Sequence, residues 1–417
     1  MINYSEQLKD LIKNDTSWLT ILRQSALHNF DAIGFPTTHD EAWKYTRTLP
    51  IENKNFAMVY QSKPSIRPET LTLYNISSNY YQAVFVNGVY QETLSTLPKN
   101  ENDLIIQPIS YTLKNSPDLL KQHLKQHQQH GYSALNTAFF QEGLFIHLPD
   151  NLQLDKPLHL LFFVSSPTEP VAFNTRNIVV AGKNSQASLV EHYVGVSESP
   201  YFTNTITDIF CDDSAFVNHY KIQQESLHGY HIGTTFAELS KNSEFNSVVI
   251  STGGSLVRSD TNINLHQHST CSLDGLFLAQ KKQHMDFHTK VDHAFPETQS
   301  SEFYKGIIAD QARGVFHGKV IVHQNAQKSD AKQQSKNLLL SDSAEVDTKP
   351  ELEIYADDVK CSHGATVGQL EDSSLFYLRS RGLDLEEAKK ILIYAFAREI
   401  IDRVEDNALK AYLGKLV

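Results

Sequence analysis

Short apolar runs that alternate with polar positions dominate the chain from about residue 158 onward. Runs at residues 187–194, 245–250 and 315–322 are typical, and Gly, Asn, Asp and Ser lie between successive runs. Alternation over a short run indicates a β-strand, and no helical period of useful length interrupts this region for about 200 residues. The pattern therefore predicts a mainly β fold in which strand follows strand.

The spacing between successive runs is roughly 10 to 17 residues and follows no strict motif. This irregular spacing favours a solenoid of parallel coils over a hexapeptide β-helix or a propeller with blades of fixed length. A parallel β-helix satisfies its strand hydrogen bonds everywhere except at its two end coils, so those ends need caps. We expect the helical segments on either side of the solenoid to supply them.

Segments of helical or mixed character flank the predicted solenoid. Good N-cap residues precede a helical pattern that ends at Gly34, and Asn87-Gly88 predicts a hairpin turn in a small sheet. The Gln-, His- and Lys-rich segment 116–131 is predicted to be helical. The expected organisation is an N-terminal helical and mixed domain over 1–135, a parallel β-helix core over 136–375 and a C-terminal helical domain over 376–417.

The last predicted helix is apolar on every side. Asp384 and Glu387 form a capping box at its start, and residues 391–397 are entirely apolar or aromatic. A surface helix has one apolar stripe, so a helix that is apolar all round must be covered on two sides. Two interpretations stay open, a helix buried inside a small C-terminal domain and a helix that a protein partner covers, with the candidate contact residues Ile391, Leu392, Tyr394 and Phe396.

Charge and composition narrow the classes of partner. The chain has 37 Lys and Arg against 48 Asp and Glu, a formal net charge of −11. It has no general basic field to hold a phosphate backbone or an anionic bilayer, so we expect neither nucleic acid nor a membrane as partner. The N-terminus lacks the pattern of a secretory signal, and no stretch approaches about 18 uncharged apolar residues, so we expect a cytoplasmic protein.

Motifs for nucleotide chemistry are missing from the sequence. It contains no Gly-x-x-x-x-Gly-Lys-Ser/Thr phosphate loop and no Gly-x-Gly-x-x-Gly dinucleotide turn. The Gly-x-Ser-x-Gly and His-Glu-x-x-His motifs of hydrolases and metalloproteases are also absent. Any nucleotide chemistry must therefore come from another chain.

Three histidines at helical spacing form one candidate metal site. His123, His127 and His130 would share one face of the predicted helix 116–131. Lysines and glutamines surround them, and no carboxylate or thiol is near in sequence. We therefore expect these histidines on a solvated helix face rather than around a metal.

Cys361 and His363 are the most informative pair of candidate ligands. The other cysteines, Cys211 and Cys271, are too distant in sequence for a disulfide framework or a zinc knuckle. Alternate side chains of a strand share a face about 7 Å apart, so this pair presents a thiol and an imidazole toward one point. An iron–sulfur cluster normally takes four protein ligands. A metal bound here therefore needs a second chain to complete the ligand set.

The same alternation supports a structural interpretation of the pair. It places both side chains on one face with Val359, Ala365 and Val367. Such a face is typical of the interior of a coil, where a buried cysteine is ordinary. We expect that only a bulge or turn near Asp357 or Gly364 would rotate the pair outward.

The pair lies in a stretch that resembles a known family. The segments Lys349-Pro-Glu-Leu-Glu-Ile-Tyr-Ala-Asp-Asp358 and Val359-Lys-Cys-Ser-His-Gly-Ala-Thr-Val-Gly368 closely resemble the SufB/SufD family. The resemblance extends to residues 313–323, 327–331, 334–340 and 375–382, and to residues 36–46, which look like the N-terminal motif of that family. The form of the Cys361 motif, the helical N-terminal segment and the lack of clustered N-terminal cysteines are most similar to its SufD branch.

The resemblance implies a fold, partners and residue roles. It implies a right-handed parallel β-helix between helical ends, in a non-catalytic scaffold subunit that pairs with a SufB-like chain and docks a SufC-like ATPase for iron–sulfur cluster assembly. His363 would lie at the interface with the SufB-like chain and share in holding a transient iron–sulfur cluster there, while a requirement for Cys361 is less clear. The C-terminal helices would dock the ATPase, and FAD is possible only at the level of the complex.

Two other functions stay open on the residues alone. A polysaccharide-active β-helix enzyme would use carboxylates and basic residues along a groove, but residues 324–336 offer one aspartate among lysines and amides. A self-sufficient metal-binding protein would hold iron or zinc without a partner. Activity on polyuronates and metal analysis of the isolated chain distinguish these functions from the scaffold.

Overall fold

Parallel strands stacked in two sheets form most of the computed structural model, which describes residues 3–58, 66–127, 130–165, 167 and 169–417. In chain order the strands are Tyr81–Val86 (β1), Val89–Tyr90 (β2), Ile105–Pro108 (β3), Leu144–Leu148 (β4), Leu158–Val164 (β5), Val171–Ala181 (β6), Gln186–Gly195 (β7), Tyr201–Cys211 (β8), Phe216–Gln224 (β9), Gly229–Leu239 (β10), Glu244–Ser251 (β11), Leu256–Leu265 (β12), Thr270–Ala279 (β13), His284–His293 (β14), Gln299–Ile308 (β15), Arg313–Val322 (β16), Asp330–Leu339 (β17), Glu345–Ile354 (β18) and Lys360–Gly368 (β19).

Helices lie before, between and after these strands. They are Tyr4–Leu11 (α1), Ser17–Ile33 (α2), Leu49–Glu52 (α3), Pro68–Leu71 (α4), Ile109–Asn115 (α5), Pro117–Lys121 (α6), Gly131–Phe139 (α7), Asp372–Ser380 (α8), Leu385–Ile401 (α9) and Asn407–Leu413 (α10).

The strands alternate between two sheets as the chain winds. Odd-numbered strands from β5 to β19 stack in parallel in one sheet, here called the odd sheet, and even-numbered strands from β4 to β18 form the even sheet. Strand β1 extends the odd sheet and pairs antiparallel with β2, and β3 pairs antiparallel with β4 at the same end of the even sheet. The predicted mainly β solenoid is confirmed, with about eight turns and helical segments on both flanks.

In-register pairing stacks similar side chains inside the solenoid. Phe85, Phe162 and Tyr193 are successive register partners, and their rings stack with centroid separations of 4.7 and 4.8 Å. All three residues are buried. Because parallel neighbours face the same way, each alternating sequence run contributes one layer of this ladder.

Turn residues between the strands take a left-handed backbone conformation. Asn184, Asn242 and Asp310 have φ values of 55°, 58° and 56°. Asn and Asp adopt this conformation more easily than other residues with side chains, because their short polar groups bond to the local backbone. This requirement explains the Asn and Asp residues that separate the apolar runs.

The N-terminal region covers the outer face of the even sheet. Leu27 and Phe30 of α2 belong to a buried cluster with Phe202 of β8 and Ile232 of β10. Trp43, from the motif at residues 36–46, is also buried there, and the Arg258 guanidinium of β12 lies 3.9 Å from its ring centroid. The motif is therefore part of the packing of this region onto the solenoid.

The C-terminal helices fold back over the outer face of the odd sheet. The Lys305 ammonium of β15 donates to the carbonyl of Phe396 at 2.8 Å and pairs with Glu399 on α9. The Tyr412 hydroxyl of α10 donates to Gln224 of β9 at 2.8 Å. The chain thus reverses direction after its last strand and runs back along the solenoid.

The prediction of one continuous helix over residues 116–131 is wrong. Helix α6 ends at Lys121, residues 122–127 are not helical, residues 128 and 129 lie outside the described part, and α7 begins at Gly131. Tertiary contacts decide the local conformation, because the His127 ring stacks on Phe236 and bonds to Asp208 at 2.6 Å. The expectation of a solvated histidine face fails for the same reason.

Candidate functional site

The last coil of the solenoid ends in an uncovered strand. Strand β19 pairs with β17 from Lys360 opposite Asp330 to Gly368 opposite Leu338, without a break in register. It is the terminal strand of the odd sheet as far as the described residues go. Most of its residues are exposed, whereas the strands of the middle coils are largely buried.

Cys361 and His363 project from this strand on the side that continues the solenoid interior. Their register partners on β17 are Ala331 and Gln333, both of which are buried. Nevertheless His363 is exposed and Cys361 is half-buried. The expectation that exposure needs a bulge is wrong, because an inward-facing side chain on the last coil has no further coil above it.

The thiol of Cys361 is held in its protonated form by its surroundings. Partial burial raises its pKa above the ordinary value, and the nearby Asp330 carboxylate raises it further, while a hydrogen bond with the Ala331 backbone acts in the opposite direction. A protonated thiol is a poor metal ligand. Cys361 would therefore need an additional charge or a metal ion nearby to become a thiolate.

The other two cysteines cannot join this site. Cys271 is buried in the same inward column as Cys361 but three coils away, which is roughly 14 Å at about 4.8 Å per strand. Cys211 is buried in the even sheet, and burial raises the pKa of its thiol to about 12. Within the described residues no group of three or more His, Cys, Asp and Glu side chains could hold a metal ion.

A buried polar column lies directly beneath His363. The side-chain amide of its register partner Gln333 donates from Nε2 to Oε2 of Glu302, the next residue in the column, at 3.3 Å. The Thr289 hydroxyl donates to the same carboxylate. Burial raises the pKa of Glu302 to about 7, although the hydrogen bonds from Thr289 and Gln333 lower it. The interior is therefore polar directly under the candidate site, and the next residue in the column, Leu273, is apolar.

The two free strand edges of the last coil differ in their capacity to pair. The Lys360 amide donates to the carbonyl of Ser329, the residue before β17. By the alternation of a parallel ladder, the amides of residues 361, 363, 365 and 367 therefore point away from the sheet. On β18 the Glu345 amide donates to Ala312, which places the imide nitrogen of Pro350 on the outward edge. Proline at that position blunts β18, whereas β19 presents an uninterrupted row of outward amides.

The apolar residues predicted on the last helix lie on two faces of α9. Ile391 and Tyr394 are 44% and 40% exposed, whereas Phe396 is half-buried and its ring lies 4.0 Å from the Lys305 ammonium on the solenoid. Leu392 is half-buried in a groove of about 300 Å³ between α8 and α9. The groove is lined by Ser373, Ser374, Tyr377, Leu378, Ile391 and Leu392.

A larger cleft of about 570 Å³ lies between the N-terminal motif and the even sheet. Asp260, a half-buried carboxylate that lines this cleft, forms an ion pair with Arg258 at 2.8 Å. Burial alone would raise the pKa of Asp260, but Arg258 and His130 outweigh it and keep the pKa below its usual range. Asp260 is thus committed to an ion pair, which does not suit the general acid of a glycosidase.

Sequence reasoning missed the polar column of Gln333 and Glu302. Each residue has an inward position in an alternating run, but their contact depends on the register of two strands 31 residues apart. A polar residue at an inward position was the available signal, and it becomes informative only when the pairing partner is known. Cys361 and His363 were found because they are close in sequence.

Comparisons with known proteins agree with this architecture. Residues 162–396 match the family described as SUF system FeS cluster assembly, SufBD core domain, and residues 2–160 match the SufBD protein N-terminal region. No helix in the described part of the chain is long and apolar enough to cross a membrane.

The chain is also similar to individual proteins over most of their length. The chain is 31% identical to an iron–sulfur cluster assembly SufBD family protein of Synechocystis, over 97% of this chain and 91% of the relative. It is also 31% identical to the iron–sulfur cluster assembly protein SufD of Escherichia coli, over 93% and 89% of the two chains. A chloroplastic protein of Arabidopsis thaliana, ABCI7, is 28% identical over 98% and 88%. With a solenoid core and both family regions matched, the chain belongs to the SufBD family of iron–sulfur cluster assembly proteins.

Proposed function

We propose that this chain is a non-catalytic scaffold subunit of a SufBCD-type complex. It pairs through its last coil with a SufB-like chain, and a transient iron–sulfur cluster, the cargo of the complex, forms at that junction. The observation that carries the proposal is the exposure of Cys361 and His363 on the inward face of an uncovered terminal strand. Two side chains cannot fill the four ligand positions of a cluster, so the partner supplies the others.

The free edge of β19 supports strand pairing as the mode of contact. An exposed strand edge with outward amides is a template for another strand, and natural proteins usually blunt or cover such edges. Here β18 carries Pro350 on its edge and β19 carries no proline. A partner strand added to β19 would lie directly above His363 and bring its own inward residues next to the imidazole.

His363 is the stronger of the two candidate ligands in this chain. A neutral imidazole can bind a metal without losing a proton, whereas the Cys361 thiol must be deprotonated, and its raised pKa opposes that step. Imidazole also binds iron less tightly than thiolate does, which suits a site that must release its product. Cys361 then acts only after the partner's charges or a metal lower its pKa.

The ATPase contact is assigned to the outer face of α8 and α9. Ile391 and Tyr394 are exposed there beside the 300 Å³ groove, and the opposite face of α9 is anchored to β15 through Lys305. A displacement of α9 by a SufC-like ATPase would thus act on β15, the strand that carries Glu302. FAD, if it is used, would bind to the assembled complex.

The central test replaces His363 in the complete complex. The chain, a SufB-like partner and a SufC-like ATPase are expressed together, and iron and acid-labile sulfide are measured after cluster assembly under anaerobic conditions. His363→Ala is expected to keep the complex intact by size-exclusion chromatography but to lower cluster content by about tenfold or more, because a ligand is lost. His228→Ala, at an exposed turn, is the matched control. Undiminished assembly by His363→Ala would remove His363 from the site.

Two further measurements test the partner assignments. Ile391→Glu is expected to release the ATPase from the purified complex. Ile33→Glu, at an apolar position on α2 that is 53% exposed against 44% for Ile391, is expected to retain it. Metal analysis of the isolated chain is expected to find less than one equivalent of iron or zinc. One full equivalent would instead support a self-sufficient metal-binding protein.

A further inference from the structure

We propose that Gln333 is a positioning residue for His363. Rotation of the exposed imidazole brings one ring N–H onto the side-chain carbonyl of Gln333, which has no hydrogen-bond partner among the described residues, and Glu302 fixes the orientation of the amide. This inference rests on the proposed function of His363 and assigns it a hydrogen-bond partner from within the chain.

The register brings the two side chains together. Gln333 on β17 and His363 on β19 are direct parallel partners, and parallel neighbours about 4.8 Å apart face the same side of the sheet. Gln333 is buried, at 3% exposure, whereas His363 is exposed on the next coil. The amide is therefore the first polar side chain in the interior beneath the imidazole.

Glu302 determines which end of the amide is free. Nε2 of Gln333 donates to Oε2 of Glu302 at 3.3 Å, and the Thr289 hydroxyl donates to that same oxygen. Because Oε2 accepts from both groups, the nitrogen end of the amide faces the carboxylate, and the oxygen end is left over. That oxygen, Oε1 of Gln333, is buried and has no hydrogen-bond partner among the described residues.

Gly318 on the opposite sheet makes room for this amide. A Cβ atom added at Gly318 would lie 2.1 Å from Nε2 of Gln333. Any side chain at position 318 would therefore push the amide away from Glu302. The absence of a side chain at Gly318 therefore leaves room for the Gln333 amide beneath the last coil.

An unsatisfied buried carbonyl costs about 1 to 3 kcal/mol, so its retention needs a reason. A histidine that binds a metal usually donates its other ring N–H to a carbonyl or carboxylate, which fixes the tautomer and makes the metal-binding nitrogen more basic. Oε1 of Gln333 is an acceptor of that kind. The register partner of Cys361 is Ala331, which offers no side-chain acceptor, so the support is specific to His363.

The test compares three variants in the full chain and in the complex. Gln333→Leu removes the acceptor, and the double variant Glu302→Gln with Gln333→Glu restores it by exchanging donor and acceptor within the column. Asn337→Leu is the matched control, because Asn337 is buried on the same face of β17 and also has an unpartnered side-chain oxygen, but its register partner is Val367.

The direct readout is the imidazole tautomer of His363. It is measured by NMR of the isolated chain with isotope-labelled histidine, and the His363 signal is identified by its loss in His363→Ala. We expect one tautomer to dominate in the wild type and in Asn337→Leu, a shift toward a mixture in Gln333→Leu, and a return to the single tautomer in the double variant. In the complex, cluster assembly should fall about tenfold or more in Gln333→Leu and recover in the double variant.

The failure of this inference can be distinguished from the failure of the proposed function. If His363→Ala abolishes assembly but Gln333→Leu keeps the wild-type tautomer and assembly, the positioning role is overturned and the site stands. If His363→Ala assembles clusters normally, the site itself is wrong. Should Gln333→Leu not fold, the double variant decides alone, since a mixed tautomer in a folded double variant contradicts the proposal.

Discussion

The two ends of the solenoid are built in opposite ways. At the first coil β1 is covered by the antiparallel strand β2, and the interior is a stack of the aromatic rings of Phe85, Phe162 and Tyr193. At the last coil β19 is uncovered, and the interior beneath it holds the polar side chains of Gln333 and Asn337. We call these the closed end and the open end. The closed end covers its apolar interior, whereas the open end exposes the inward residues of β19 above buried polar side chains.

The difference shows how a repeating fold can carry a site without a conventional pocket. Every coil of a solenoid is closed by the next coil, so the last coil presents interior positions to whatever binds there. At the closed end the pairing of β2 with β1 covers the first coil, so its interior positions are not presented to a partner. At the open end the same geometry turns inward positions into candidate ligands, and the proposed strand pairing with a partner would bury them.

The largest expected effect separates the two ends by stability. Phe85→Ala at the closed end is expected to lower the free energy of unfolding by about 3 to 5 kcal/mol, because it empties a buried aromatic position. Val367→Ala at the open end, where the side chain is 49% exposed, should change it by no more than about 0.5 kcal/mol. Urea unfolding of the isolated chain measures both. Equal losses at the two positions would contradict the distinction between the ends.

The next largest effect is expected from acidification, which should lower the free energy of unfolding by protonating a histidine that is buried near the closed end. Burial lowers the pKa of His192 on β7 from 6.5 to about 4, although its hydrogen bond with Gln224 raises it. The unfolded chain therefore binds the proton first, so the free energy of unfolding falls between about pH 6.5 and pH 4 and levels off below. The loss from this group is about 3 kcal/mol, at about 1.4 kcal/mol for each pH unit.

The measurement is urea unfolding across this pH range for the wild type and His192→Gln. The variant should show a shallower decline, since it no longer carries the titrating group. His228→Ala, at an exposed turn, controls for the loss of one histidine. Parallel curves for wild type and His192→Gln would show that His192 does not contribute to the acid sensitivity.

The smallest expected effect concerns pairing at the open end. Ala365→Pro removes an outward amide of β19 without removing a bond to β17, so the free chain should fold while its affinity for a SufB-like partner falls at least about tenfold, or about 1.4 kcal/mol. Ala365→Val keeps the amide and is the control. Affinity is measured by titration of the two purified chains. Unchanged binding by a folded Ala365→Pro chain would exclude pairing through this edge.

The alternating runs were enough to predict the solenoid, because a strand in a parallel stack needs only apolar residues at inward positions and turn formers between runs. The capping box at Asp384 was also predictable, since all its groups are within four residues; the Glu387 amide donates to Asp384 at 2.8 Å. The segment after Lys121 was not predictable. His127 leaves the helical pattern to stack on Phe236 of β10, a contact across more than 100 residues.

In the candidate site, too, some residues were predictable from the sequence and others were not. Cys361 and His363 were recognisable as a pair two residues apart, but the sequence could not say that their strand is the last of its sheet. That fact turns an interior position into an exposed one without any bulge. Gln333 and Glu302 became part of the site only through the register of β15, β17 and β19.

The sequence by itself determined the class of fold, the positions of most turns and the pair of candidate ligands, because these depend on alternation and on groups close together along the chain. The tertiary structure decided which end of the solenoid is open, which residues form the column beneath His363 and which face of α9 is free. Those features depend on strand register and on what covers each surface, and the energies that set them come from contacts between residues far apart in sequence.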